Sequence, residues 1–251
     1  LWQILLETLK IDEKNVVLVR GDTDTSSDVG STSASRQTYI SGRAVYEAAS
    51  KLYLYLDEKG YYRGRSLGDI YKEAKAENNL VFDGYFDPPT TKLNMETSEG
   101  IPYATYAFAT HMTEVEIDEK TGSCSVKKVH AAHDVGKAVN PGLVKGQVYG
   151  GVAMGIGFAL MEEFIPGKSE SFDNYYMPTS MDMPDVEVFI VEDEEPTGPF
   201  GAKGVGEPAL IPQAASIMNA IQDAVYVRPY QLPCHIERLK KLIEDKKNQR
   251  R

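Results

Sequence analysis

Apolar residues recur at helical spacing from the first position. Leu1, Trp2, Ile4, Leu5, Leu6 and Leu9 predict a helix running to about Lys10. No Ser, Thr, Asp or Asn stands before it as an N-cap and there is no initiator Met, so the expectation is a chain that begins inside a helix, as a fragment or trimmed product would. A Val- and Leu-rich run from Asn15 to Arg20 predicts a short strand, and Gly21 to Ser35 reads as a polar loop without apolar period. From Gly42, the spacing of Val45, Ala48, Ala49, Leu52 and Leu56 predicts a helix with one buried face. Ser66 is placed to cap a short charged helix ending near Asn78–Asn79.

Beyond the break at Pro88-Pro89, β-branched and aromatic residues fill Tyr103 to Ile117 and Ser125 to His133. The segment Asp118-Glu119-Lys120-Thr121-Gly122 joins them as a turn, which predicts a long hairpin packed against helices. Pro141 opens a Gly-rich helical stretch to about Glu163 containing Gly146, Gly150, Gly151, Gly155 and Gly157. Each glycine costs a helix up to about 1 kcal/mol relative to alanine, so their number points to close approach by another backbone or by a ligand. Val186 to Glu195 reads as a strand turning acidic at its end. Pro208 suits a first helical position, and the helix behind it is expected to bury Ala215, Ile217, Met218, Ala220, Ile221 and Ala224. A last helix runs from about Pro233 to Lys246. The fold class expected is α+β, with mixed sheets and packed helices: one domain over residues 1–245, or two subdomains within it, and a solvated basic tail over 246–251.

Composition narrows the functions open to such a chain. A formal net charge of −10 argues against nucleic acid as the main ligand, because such surfaces need clustered Lys and Arg. Two cysteines, Cys124 and Cys234, cannot supply the thiolates of an iron–sulfur cluster or a Cys-x-x-Cys zinc site. No signal segment is evident and no apolar run looks long enough to span a membrane, so no membrane partner and a cytoplasmic location are the expectations.

The candidate chemistry lies in two small-residue loops that lead into helices, around Ser33 and around Gly204. Backbone N–H groups and the helix dipole make such places anion sites, phosphate above all. Glu207 follows Gly204-Val205-Gly206 and precedes Pro208. By spacing alone, a carboxylate there caps the helix; buried in a cleft, it would serve as a general base. His130 and His133 should face opposite sides of a strand, and His111 and His235 stand isolated, so a histidine metal cluster is not expected. Asp134-Val135-Gly136 with Asn140-Pro141 reads as a turn that closes a strand and launches the next helix.

Three groups of segments resemble the second molybdopterin-binding region of the xanthine dehydrogenase and aldehyde oxidase family. The most specific is Gly201-Ala202-Lys203-Gly204-Val205-Gly206-Glu207-Pro208 with Asn219-Ala220-Ile221-Gln222-Asp223-Ala224 behind it. A second is Asp134-Val135-Gly136, Asn140-Pro141, Gly146-Gln147, Met154-Gly155-Ile156-Gly157 and Glu162-Glu163. The third is Gly21-Asp22-Thr23-Asp24, then Gly30-Ser31-Thr32-Ser33-Ala34-Ser35-Arg36-Gln37 and Gly42-Arg43-Ala44-Val45. Gly198-Pro199-Phe200-Gly201 and Tyr176-Met177-Pro178-Thr179 resemble the split-subunit bacterial nicotinate and purine dehydrogenases within it.

The resemblance implies a molybdenum hydroxylase component, incomplete alone, that oxidises an N-heteroaromatic, purine or aldehyde with water as the oxygen source. It places Glu207 as the catalytic base, against the capping role that spacing favours. Ser33, Ala34, Ser35, Arg36 and Gln37 match the loop over the cofactor, Ala34 facing the substrate pocket, while Lys203, Gly204, Val205 and Gly206 run beside the molybdenum centre. Gln147 and Met154 fall at cofactor-facing positions. Met154 departs from the family's Gln, and a thioether cannot replace an amide's hydrogen bonds. Ala209 and Tyr226 replace a common proline and a common glycine. The implied cofactor is molybdenum–molybdopterin, the cytosine dinucleotide form included, with no side chain of this chain as a metal ligand. The family's upstream Gly-Gln-Gly and Gly-Gly-Phe-Gly-Gly segments are not in the sequence, so another molybdopterin-binding half is the expected partner. An iron–sulfur (2Fe-2S) subunit and an FAD subunit are expected with it. Two rival readings remain: a structural half whose partner holds the cofactor, and an unrelated phosphate- or nucleotide-binding module, for which the sequence offers no P-loop or dinucleotide fingerprint.

Overall fold

The computed structural model describes residues 1–26, 28, 30–78 and 81–249. Expectations touching Ser27 and Val29 of the polar loop, Asn79 and Arg250-Arg251 fall outside them. The chain divides into two units, Leu1–Tyr106 with Asp193–Gly204, and Ala107–Glu192 with Val205–Arg251.

In the first unit, α1 (Trp2–Leu9) buries Ile4 and Leu9 and ends at Lys10, which takes the left-handed conformation at φ 52°. The strand expected over Asn15–Arg20 does not form. A 3-10 turn at Glu13–Asn15 leads into extended backbone at Val16, the segment finds no ladder partner among the described residues, and Val17 stays 85% exposed. A π-helical turn, Gln37–Ser41, feeds α2 (Gly42–Glu58), which buries Ala49 and Leu56. α3 (Leu67–Ala76) starts at Ser66, whose Oγ accepts from the Asp69 amide at 3.2 Å. Gly84 lies so close to α2 that a Cβ there would stand 2.7 Å from the Ala48 amide nitrogen. The late segment Asp193–Gly204 completes this unit: Tyr39 Oη meets Thr197 Oγ1 at 2.7 Å, and the Tyr46 and Phe200 rings pack edge to face at 5.2 Å.

The second unit is built on three strands in the order β1-β2-β3. β1 (Ala109–Asp118) and β2 (Ser123–Asp134) form the antiparallel hairpin, and the Asp118 carboxylate accepts from the Lys120 amide in its turn. The first strand starts at Ala109, not Tyr103: its ladder register begins with Ala109 opposite His133, just after the Phe108 carbonyl accepts from the Asp134 amide at 2.9 Å. α4 (Pro141–Leu160) follows, with the Asn140 side chain accepting from the Leu143 amide at 3.0 Å and Pro141 inside its first turn. β3 (Asp185–Val191) pairs parallel to β2. A 3-10 turn at Glu207–Ala209, holding Pro208, precedes α5 (Ile211–Val225), and α6 (Ile236–Gln249) closes the chain.

The core of this unit joins Val129 and Ala131 of β2, Val148, Val152 and Ile156 of α4, Ile217 and Ile221 of α5, and Leu239 and Ile243 of α6. Here α5 departs from its expected face. Ala215 and Ala224 are exposed, while Ala214, Gln213 and Ser216 are buried with Ile217, Met218 and Ile221. Two polar side chains occupy what an apolar count would leave empty. α6 also outruns its expected end: Lys246 Nζ donates to the Val225 carbonyl at 2.9 Å and Lys247 pairs with Glu119, so residues assigned to a solvated tail belong to the helix as far as Gln249. α4 is long and apolar enough by length and composition to cross a membrane, contrary to the expectation from sequence, but Val144, Val148, Val152, Ile156 and Ala159 bury its inner face.

Candidate functional site

The expected site residues fall in both units. In the first, Ala34 and Ser35 take consecutive positive φ values of 51° and 52°. For residues with a Cβ, that conformation costs roughly 1–2 kcal/mol each, and strain of this kind persists where the surrounding structure imposes it. The surroundings here are specific. Gly204 packs on this turn closely enough that a Cβ there would lie 3.1 Å from the Ser35 carbonyl carbon and would strike its oxygen. Thr32 Oγ1 donates to Gln37 Oε1 at 2.9 Å, and the Arg36 guanidinium donates to the Ser31 carbonyl. Ser33, Ala34 and Gln37 are exposed, Ser35 and Arg36 half-buried. Lys203 is buried, 3.6 Å from the Asp193 carboxylate, and it helps, behind the Thr197 hydrogen bonds, to hold Glu195 below the usual carboxylate range although burial opposes this. The structure thus brings Ser33–Gln37 together with Lys203 and Gly204.

The remaining candidates are in the second unit. Val205 and Gly206 are half-buried and lead to Glu207, which is exposed on the 3-10 turn. The glycines of α4 divide by face. Ala209, just past Glu207, sits against Gly151, where a Cβ would lie 2.5 Å from the Ala209 carbonyl group; Gln213 sits against Gly155, where a Cβ would lie 2.6 Å from its Cγ. Gly157 is likewise occupied, by Glu162 and Pro178. Gly146 and Gly150 have nothing within 4 Å. On that open side Gln147 is exposed and Met154 is 60% exposed. Close packing therefore explains part of the glycine content, and the open glycines lie on the side that carries the two candidate cofactor contacts. Tyr226, where the family has glycine, takes φ 56° to end α5, with Lys246 Nζ 4.8 Å from its ring centre.

Sequence reasoning left His111 isolated, and this is corrected. His111 Nε2 lies 2.7 Å from His133 Nε2, because both project from neighbouring strands on the α5 side. His111 Nδ1 lies 2.7 Å from Oε1 of Gln213, whose Nε2 donates to Thr113 Oγ1 at 3.2 Å, and Ser216 Oγ donates to the same oxygen at 2.7 Å. Burial lowers the pKa of both imidazoles, that of His133 to about 4, so both are neutral at pH 7. Only the shared alternation of β1 and β2 hinted at this pairing in the sequence. Nothing there singled out Gln213.

A family model described as a molybdopterin cofactor-binding domain matches residues 1–184. The aldehyde oxidoreductase of Megalodesulfovibrio gigas is 33% identical over 222 residues, which cover 87% of this chain and 24% of that protein. The xanthine dehydrogenase molybdenum-binding subunit of Escherichia coli O157:H7 is 32% identical over 259 residues, covering 94% of this chain and 34% of the subunit. The solved structure of the aldehyde oxidoreductase from Desulfovibrio gigas superposes with a TM-score of 0.89 at 30% identity, over 97% of this chain and 27% of that one. The chain therefore spans about a quarter to a third of the length of these relatives.

Proposed function

Because this chain belongs to the molybdopterin cofactor-binding domain family, as the corresponding region of xanthine dehydrogenases and aldehyde oxidoreductases, we propose that it holds part of the cofactor of a molybdenum hydroxylase and contributes Glu207 as general base. One observation carries the reading: the turn bearing Glu207 is seated on α4, the same helix that leaves Gly146 and Gly150 open and presents Gln147 and Met154 to the outside. A flat, hydrogen-bonding group fits against glycine backbone flanked by an amide and a thioether. The residues present suit a pterin on these terms. Ser33–Gln37, with Lys203 and Gly204, form a second contact surface of backbone amides and small side chains; Val205 and Gly206 lead from it to the base.

When bound, the cofactor supplies the two-electron redox chemistry. The chain's own task is to bind, orient and move a proton. Glu207, as a carboxylate, would accept a proton at one of its oxygens from the water-derived nucleophile that attacks an electron-poor carbon of an aldehyde, purine or N-heteroaromatic substrate. The hydrogen that this carbon gives up, with its bonding electron pair, would pass into the redox chemistry the cofactor supplies. Met154 offers the cofactor polarisable contact in place of an amide's hydrogen bonds. Residues 1–245 act as one cofactor-binding region in this proposal. The rest of the pterin site, the 2Fe-2S clusters and FAD lie on other parts of a cytoplasmic, multi-subunit enzyme, and the cytosine dinucleotide is the form of cofactor proposed. In the complete enzyme, Glu207→Gln should lower turnover by about 10²–10⁴-fold while molybdenum content stays near normal. Turnover close to wild type would remove Glu207 from the role of base.

A further inference from the structure

The helix behind Glu207 has no side-chain cap at its start, although Pro212 stands in its first turn. Leu210 occupies the N-cap of α5 and offers no side-chain hydrogen bond to the first turn. The start is held by two local backbone turns and by the tertiary contacts of Gln213. The Glu207 carbonyl accepts from the Leu210 amide at 3.0 Å, and the Leu210 carbonyl accepts from the Gln213 amide at 3.2 Å, so two backbone links join Glu207 to Gln213. Gln213 is 0% exposed, its side-chain stem fills the notch left by Gly155, and its amide is engaged at both ends.

The donors along this chain are ordered. With Gln213 Oε1 facing His111, Nδ1 of His111 carries the proton, which leaves Nε2 of His111 as acceptor and makes Nε2 of His133 the donor. Gln213 Nε2 and Ser216 Oγ then both donate to Thr113 Oγ1. Apolar residues could fill a helix–sheet contact of this size with less desolvation. Among the described residues Nδ1 of His133 is left without a partner, yet the network still favours a single position, because any slip of α5 along β1 breaks several hydrogen bonds at once. The element whose position is fixed in this way is the turn carrying Glu207.

We propose that Gln213 is a positioning residue: by anchoring the first turn of α5 to His111 and Thr113 of β1 and to Gly155 of α4, it sets where Glu207 stands. The proposal rests on the reading of Glu207 as base. Its test uses the complete enzyme carrying Gln213→Met, which keeps the length of the side chain and removes its hydrogen bonds. Amide hydrogen exchange at Leu210 and Gln213 should rise about tenfold or more. Turnover per bound molybdenum should fall about tenfold, with KM within twofold of wild type, as displacement of a catalytic group predicts. A residue with a merely structural role would lower the yield of loaded enzyme and leave turnover per molybdenum unchanged. Should Gln213→Met not accumulate, Thr113→Val removes the shared acceptor from the other end and should shift both readouts in the same direction. Unchanged exchange, or unchanged turnover per molybdenum, in the variant that folds overturns the proposal. An active Glu207→Gln enzyme would instead overturn the assignment of the base, while the exchange measurement still decides whether Gln213 holds the turn.

Discussion

Gly150 and Gly151 are neighbours in one helix, and alanine should raise stability at the first but not at the second. At Gly150 nothing lies within 4 Å of a built Cβ, so Gly150→Ala gains helix propensity, up to about 1 kcal/mol. At Gly151 the same atom would lie 2.5 Å from the carbonyl carbon and oxygen of Ala209 and 2.6 Å from its Cβ. Carbon atoms rest at about 3.5–4.0 Å, so roughly 1 Å of separation must open between α4 and the turn after Glu207. The obstructing atoms are backbone and a methyl group, which cannot rotate aside. Overpacking of this kind costs about 1–3 kcal/mol, and the propensity gain offsets about 1 of it. The net expectation is Gly151→Ala between level and about 2 kcal/mol less stable, and a gap of about 1–3 kcal/mol between the two variants. For a protein of this size that corresponds to melting temperatures about 2–12 °C apart, with Gly151→Ala the lower, read by far-ultraviolet circular dichroism at fixed scan rate. Equal stabilisation by both alanines would refute the assignment of Gly151 to close packing and, with it, the seating of the Glu207 turn on α4.

Two further outcomes follow from the same structure. Ala34→Gly relieves a left-handed residue and should raise stability or leave it level, whereas Ala34→Val should cost about 1–2 kcal/mol; a denaturation midpoint unaffected by valine would show that the turn is not held in this conformation. The buried imidazoles give a signed pH dependence: His133, lowered to about 4 from an unfolded value of about 6.5, binds a proton in the unfolded chain before it does so in the folded one, so its contribution is complete above about pH 6.5 and is lost as pH falls toward 4. The full loss is on the order of 3 kcal/mol, and His133→Gln should flatten the fall in urea midpoint between pH 6.5 and 5; an equally steep fall in the variant would assign the acid sensitivity to other groups.

The helices were legible where apolar period, cap and breaker agreed. Ser66 and Asn140 cap α3 and α4 as their side-chain chemistry demands, and the Asp118–Gly122 turn pins the hairpin. The misreadings share a cause in tertiary contact. Asn15–Arg20 has strand propensity but no ladder to join among the described residues, and Lys246 and Lys247 extend a helix because each finds a partner on another element. In α5 the buried stripe keeps Ile217, Met218 and Ile221 but takes in Gln213, Ala214 and Ser216 in place of Ala215 and Ala224, since Gln213 and Ser216 hydrogen-bond to Thr113. The same network pairs His111 with His133, at which strand alternation hints but which depends on the register of β1 against β2. Of the candidate site, the segment ending in Glu207 and the loop around Ser33 were named from residue pattern and resemblance. The split between filled and open glycines in α4 depends on what stands opposite each, and so only coordinates resolve it.

The first unit is completed by a segment that the ribosome delivers late. Tyr39, Gly42 and Tyr46 must wait for Thr197, Pro199 and Phe200, and in between the whole of Ala107–Glu192 is synthesised. At about 5–20 residues per second the wait from Tyr46 to Phe200 lasts roughly 8–30 seconds, during which these tyrosines stay uncovered by that segment while the hairpin and α4 emerge behind them. A nascent chain stalled short of residue 204 would therefore carry an unclosed apolar surface, a natural substrate for a chaperone. For the same reason, a cut between the units at the level of the sequence does not yield two independent pieces.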